Sequence, residues 1–130
     1  MIYNDEELNN IEVEAVYIIN KHSRDTYIEI KSNDKIITLN FNDSFNPKKL
    51  ELNKKVNLID YINWDVELKT KETYYLFDIS KDKVFLTRTR DNKYKIEINI
   101  EKPDMIYSPL GNNATFDNLI INMYFSFKYE

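Results

Sequence analysis

Residues 26–41 read TYIEIKSNDKIITLNF, and the fold class turns on how this stretch pairs with itself. A two-residue turn at Asn33-Asp34 places Ile30 opposite Ile37, Ile28 opposite Leu39 and Thr26 opposite Phe41, so that the apolar side chains of both strands share one face. A slip of one residue would scatter them over both faces. Glu29 and Thr38 then take the opposite face, toward water.

Upstream, Ile11, Val13, Ala15, Tyr17 and Ile19 alternate at period two. A loop over residues 20–25 sets Tyr17 opposite Ile28 and Ala15 opposite Ile30, adding a third strand whose Glu12 and Glu14 face water. Downstream, a turn at Lys81-Asp82 places Ile79 opposite Val84, Phe77 opposite Leu86 and Tyr75 opposite Arg88. Charge guides the next turn. Two turn residues, Asp91 and Asn92, would set Arg90 against Lys93 and Arg88 against Lys95, which is unfavourable across a ladder. A three-residue loop at 91–93, with Val84 against Ile100 and Leu86 against Ile98, is therefore preferred. Last, Leu119, Ile121, Met123, Phe125, Phe127 and Tyr129 share one parity against Asn118, Asn122, Ser126 and Lys128, as in a half-buried C-terminal strand.

Two three-stranded meanders, joined by residues 42–71 and closed by that strand, predict one all-β, mainly antiparallel domain over residues 1–130. A two-sheet β-sandwich buries the two apolar faces most simply, and a closed β-barrel satisfies the same pattern. Residues 47–63 read as a short helix, a strand pair or an irregular crossover, and Trp64, Val66 and Leu68 alternate as a strand. Asp5, Glu6 and Glu7 after Asn4 suit a short helical turn. Pro103 and Pro109 bracket an edge or loop stretch containing Met105, Ile106 and Tyr107, because neither proline can donate to a ladder.

Composition narrows the chemistry. The 130 residues include no cysteine, which excludes disulfides and thiolate metal sites, and one glycine, Gly111, which excludes glycine-rich phosphate loops. Turns that need positive φ must then use asparagine or aspartate. With 18 basic and 22 acidic side chains the net charge is -4, and no basic cluster offsets it, so neither nucleic acid nor an anionic membrane is an expected partner. The first residues lack the basic and apolar regions of a secretion signal. The apolar stretch near Leu119 to Phe127 is broken by Asn122 and Ser126, so a soluble, cytoplasmic protein is expected.

No catalytic constellation emerges. His22, the only histidine, lies in the loop at 20–25 with Asp25 as a conceivable orienter but no nucleophile, and reads as a solvated loop residue. Asp60, Asn63 and Asp65, or Asn42 and Asp43, supply oxygens of the kind calcium takes, but without EF-hand spacing they read as turn residues, and no metal or cofactor is expected. Arg88 is the oddity: it continues the apolar parity of Val84 and Leu86, near Tyr75, with Arg90 next along and facing Tyr94. Such an arginine must emerge beyond the sheet or find a carboxylate. Trp64, Tyr74, Tyr75 and Tyr107 are candidates for an aromatic recognition patch.

These features point to a non-enzymatic protein-binding module, immunity- or inhibitor-like, whose acidic, tyrosine-rich surface suits a basic protein partner. The alternative is a small-ligand or carbohydrate-binding sandwich or barrel, with Arg88, Arg90, Tyr75 and Tyr94 at the mouth of its cavity. A monomer or a weak homodimer is expected, the dimer forming if the C-terminal strand lies at an edge.

Overall fold

A computed structural model of the chain describes residues 1–19, 26–62, 66–71, 74–77, 83–101, 106–107 and 118–130, of which 74–77 and 106–107 by their backbone alone. Its strands are β1 (Ile2–Tyr3), β2 (Glu6–Glu7), β3 (Ile11–Tyr17), β4 (Tyr27–Ser32), β5 (Lys35–Asn40), β6 (Lys55–Asn57), β7 (Val66–Lys69), β8 (Tyr74–Phe77), β9 (Val84–Arg90), β10 (Lys93–Glu101), β11 (Ile106–Tyr107), β12 (Asn118–Phe125) and β13 (Lys128–Tyr129). Helix among the described residues is confined to two 3-10 turns, Pro47–Lys49 and Leu58–Asp60.

The strands form a six-stranded sheet, β2-β1-β12-β10-β9-β6, and a seven-stranded sheet, β11-β8-β7-β5-β4-β3-β13. Both are open, so the fold is a sandwich and not a closed barrel. Period-two alternation becomes the core: Ile28, Ile30, Ile37, Leu39, Val66 and Leu68 of the seven-stranded sheet and Leu86, Ile96, Ile98, Ile100 and Leu119 of the other are fully buried. Phe41 and Phe45, stacked at 4.1 Å, join the same core.

The 26–41 hairpin has the register read from its sequence, Ile28↔Leu39 and Ile30↔Ile37, with Phe41 N donating to Thr26 O. The positive-φ prediction also holds. Among the described residues, the non-glycine positions of positive φ are Asn4, Asp5, Asn10, Asn33 and Asn53.

Other pairings differ from expectation. The β3–β4 ladder is displaced by two residues, with Ala15 opposite Ile28 and Val13 opposite Ile30. An even shift keeps every side chain on its face, so apolar patterning could not detect it. The buried Thr26 hydroxyl accepts from Ile18 N at 3.0 Å, just beyond the ends of the ladder.

The proposed pairings of Tyr75 with Arg88 and of Phe77 with Leu86 do not occur, and Ile79 lies outside the described residues. β8 lies in the seven-stranded sheet, where Leu68 faces Tyr75, while β9 pairs with β10 and β6 in the other sheet. In either arrangement Phe77 has an apolar residue opposite it in register, Val66 or Leu86, so alternation could not choose between them. The supposed turn at Lys81-Asp82 lies outside the described residues.

The loop preferred at 91–93 is also overturned. Asp91 and Asn92 make a two-residue turn, Lys93 faces Arg90, and a bulge at Thr89 then sets Tyr94 against Arg88, Ile96 against Leu86 and Ile98 against Val84. The extra residue restores the apolar parity and removes the Arg88–Lys95 clash that counted against this turn.

At the N-terminus the expected helical turn is a hairpin, with Asn4 and Asp5 at φ 50° and 64° as a type I′ turn requires. Within the middle segment β6 pairs with β9 at the edge of the six-stranded sheet. The C-terminal strand divides in two. β12 runs between β1 and β10, and after Phe125 the chain crosses to the other sheet, where β13 lies parallel to β3. The main part of the long apolar run, β12, is therefore an interior strand, while β13 lies at an edge of the seven-stranded sheet. Ile106 and Tyr107 do form an edge strand, beside β8.

Candidate functional site

The outward face of the seven-stranded sheet carries an unbalanced set of charges. Register places Glu14, Glu29, Thr38 and Glu67 in one row across β3, β4, β5 and β7. The adjacent row runs Glu12, Lys31, Ile36 and Lys69. Glu14 and Glu29 are direct cross-strand partners, an arrangement of like charges that disfavours the ladder by on the order of half a kcal/mol. Lys31 relieves it in part, with its ammonium 3.0 Å from Glu29, and the surrounding carboxylates, Glu29 first, raise its pKa.

Tyr27 completes the face. Its hydroxyl donates to Glu14 Oε1 at 2.5 Å. That bond above all, then burial and the charges of Glu14, Glu130 and Glu29, pushes the phenol up to about 12. On the outward face of the six-stranded sheet, by contrast, the Glu97 carboxylate has cationic neighbours. Glu97 sits between Lys55 at 3.5 Å and Lys95 at 3.9 Å, and these lysines also lie over the rings of Phe85 and Tyr124.

Of the residues expected to line a ligand cavity, Arg88 and Tyr94 are brought together as cross-strand partners, while Arg90 is exposed beside the hairpin turn. The backbone of Tyr75 belongs to the other sheet. The Arg88 side chain is mostly buried. Nε donates to Asp91 O at 2.9 Å, Nη1 to Lys48 O at 3.2 Å and to Leu50 O at 3.3 Å, and Nη2 reaches Asp91 Oδ1 at 3.5 Å. The guanidinium thus ties the first 3-10 turn to the β9–β10 hairpin. A shallow cleft of about 350 Å³ opens there, lined by Lys48, Arg88, Asp91, Asn92 and Tyr129. Tyr94 is fully buried, its hydroxyl has no hydrogen-bond partner among the described residues, and burial holds its pKa well above the usual phenol range.

Comparison with protein-family models, with curated proteins and with solved structures returned no match. The functional reading therefore rests on this geometry.

Asn42 acts as a turn cap: its Oδ1 accepts from Ser44 N and Oγ, and its Nδ2 donates to Asp60 O. No group of three or more metal-ligating side chains occurs among the described residues. His22, Asp25, Asn63, Trp64 and Asp65 lie outside them. The backbones of Tyr74, Tyr75 and Tyr107 fall on the neighbouring strands β8 and β11. No helix of the described residues is long and apolar enough to cross a membrane.

Sequence reading assigned Glu12, Glu14, Glu29 and Thr38 to the water-facing side but did not single them out as a site, and it passed over Tyr27 and Glu67. Glu67 has the parity opposite to Val66 and Leu68, which marks it as outward. That it continues the Glu14–Glu29 row depends on β5 pairing with β7, which no local signal encodes.

Proposed function

We propose that this protein is a non-enzymatic protein-binding module that docks a basic partner on the outward face of its seven-stranded sheet. The observation that carries the reading is the in-register row of Glu14, Glu29 and Glu67 beside Tyr27. Like charges held opposite one another weaken the isolated sheet and are relieved when a cationic surface arrives, so they favour association. Tyrosine beside them adds an amphipathic contact of the sort enriched at interfaces. An inhibitor or immunity protein that masks a basic partner would use such a face.

The test is capture from a lysate of the source organism on immobilised wild-type protein and on the double variant Glu14→Lys/Glu29→Lys. A basic protein retained by the first, lost from the second and released by high salt supports the reading. Capture that the double variant leaves unchanged, or no protein captured at all, rejects it.

The alternative, a small-ligand or carbohydrate site around Arg88, Arg90, Tyr75 and Tyr94, has less support. Arg88 already directs its donors at protein carbonyls and Asp91, leaving little capacity for a ligand.

A further inference from the structure

Beside the acidic face, the seven-stranded sheet has an open edge. Glu130 N donates to Tyr17 O at 3.0 Å, and Ile19 N donates to Glu130 O at 2.6 Å, so the odd-numbered residues at the end of β3 direct their backbone groups away from β4. Backbone direction alternates along a strand, and Ile11 and Val13 therefore point their N–H and C=O groups the same way. β13 is in register only with Val16 and Tyr17 and does not reach them. Among the described residues, no backbone group pairs with Ile11 or Val13 on that side.

We infer that the exposed edge of β3 at Ile11 and Val13 is the docking line for a β-strand of the partner protein, one that alternates basic and apolar residues. The inference rests on the acidic-face reading and specifies its mode. A strand added here completes the free backbone pairing and is one residue column from Glu12 and Glu14. Its outward side chains meet those carboxylates, which selects lysine or arginine. Its inward side chains extend the half-buried Ile11 and Val13, which pack against the core, and this selects apolar residues. A second copy of this chain does not fit. Pairing β3 with itself would bring Glu12 and Glu14 of both copies together on one face, beside Glu29.

The experiment titrates the protein with the peptide acetyl-Lys-Val-Lys-Val-Lys-Val-Lys-amide and follows amide hydrogen exchange by NMR. At a peptide concentration near ten times Kd, exchange at Ile11 and Val13 is expected to slow by about tenfold. Val13→Pro, which removes one outward N–H that no described residue pairs with, is expected to weaken binding by about tenfold or more. Glu14→Lys/Glu29→Lys should weaken it as well. If the peptide binds and the charge reversal abolishes binding while Ile11 and Val13 exchange unchanged, strand addition is overturned and acidic-face docking survives. Absence of saturable binding up to about 1 mM overturns strand addition too. Because the exchange measurement uses the unaltered protein, it decides the matter even if Val13→Pro fails to fold.

Discussion

Tyr27 is where the acidic face can be read out one proton at a time. Its phenol, pushed from 10.0 up to about 12 chiefly by the hydrogen bond to Glu14, holds its proton more tightly in the folded chain than in the unfolded one. The stability linked to that difference is fully present below pH 10 and is lost as pH rises toward about 12. A phenolate absorbance titration of wild type minus Tyr27→Phe is expected to isolate a component ionising near 12, and Glu14→Gln should move it back toward 10. Ionisation of the wild-type component at the ordinary phenol value would show that the two side chains are uncoupled. Sequence parity alone placed Glu14 and Glu29 on the water side. It could not pair them, because the two-residue shift of β3 that makes them direct neighbours leaves every side chain on its original face.

At the scale of elements, the β9–β10 hairpin shows how a single residue decides a register. Charge repulsion was a sound reason to doubt a plain two-residue turn at Asp91-Asn92. The chain keeps the turn, and with it the Arg90–Lys93 pair, but is spared the Arg88–Lys95 pair by the bulge at Thr89, whose hydroxyl donates to Lys93 O at 3.1 Å. Nothing in the local sequence marks a bulge, since β-branched and charged residues surround the site on either reading. The turn is then fastened to the crossing segment by Asn92, whose Nδ2 donates to Phe127 O at 2.8 Å and whose Oδ1 accepts from Phe127 N and the Tyr129 hydroxyl. Asn92→Ala leaves those backbone groups of Phe127 without their partner in a part-buried setting. A loss of about 2 kcal/mol is expected in urea denaturation. A loss under about 0.5 kcal/mol would mean that water replaces the side chain without penalty.

Across the whole molecule, the two apolar faces were legible and their ownership was not. Ile28, Leu39, Leu86 and Ile98 were expected in the core and are there. The assignment of residues 74–77 to one sheet and 84–90 to the other was not foreseeable, because pattern reports which side of a strand is apolar and says nothing of its neighbour. What joins the two layers at one end is an aromatic cluster. The Phe127 ring lies 5.0 Å from Tyr94, 5.2 Å from Phe125 and 6.0 Å from Phe45. Phe127→Ala is expected to cost about 3–4 kcal/mol and to lower the melting temperature in a single transition. Two separate transitions would show that the sheets do not depend on this contact.

The division of the C-terminal run also governs when the protein can assemble. Asp5 bonds to Asn118, 113 residues away in sequence, and β12, the inner neighbour of β1, is followed at once by the strand that flanks β3. A nascent chain still attached to the ribosome with β12 in the exit tunnel would hold one sheet without a central member and the other without its flank. Folding of this domain must therefore await release of its final strands, and until then its N-terminal hairpin and β10 stay available to chaperones.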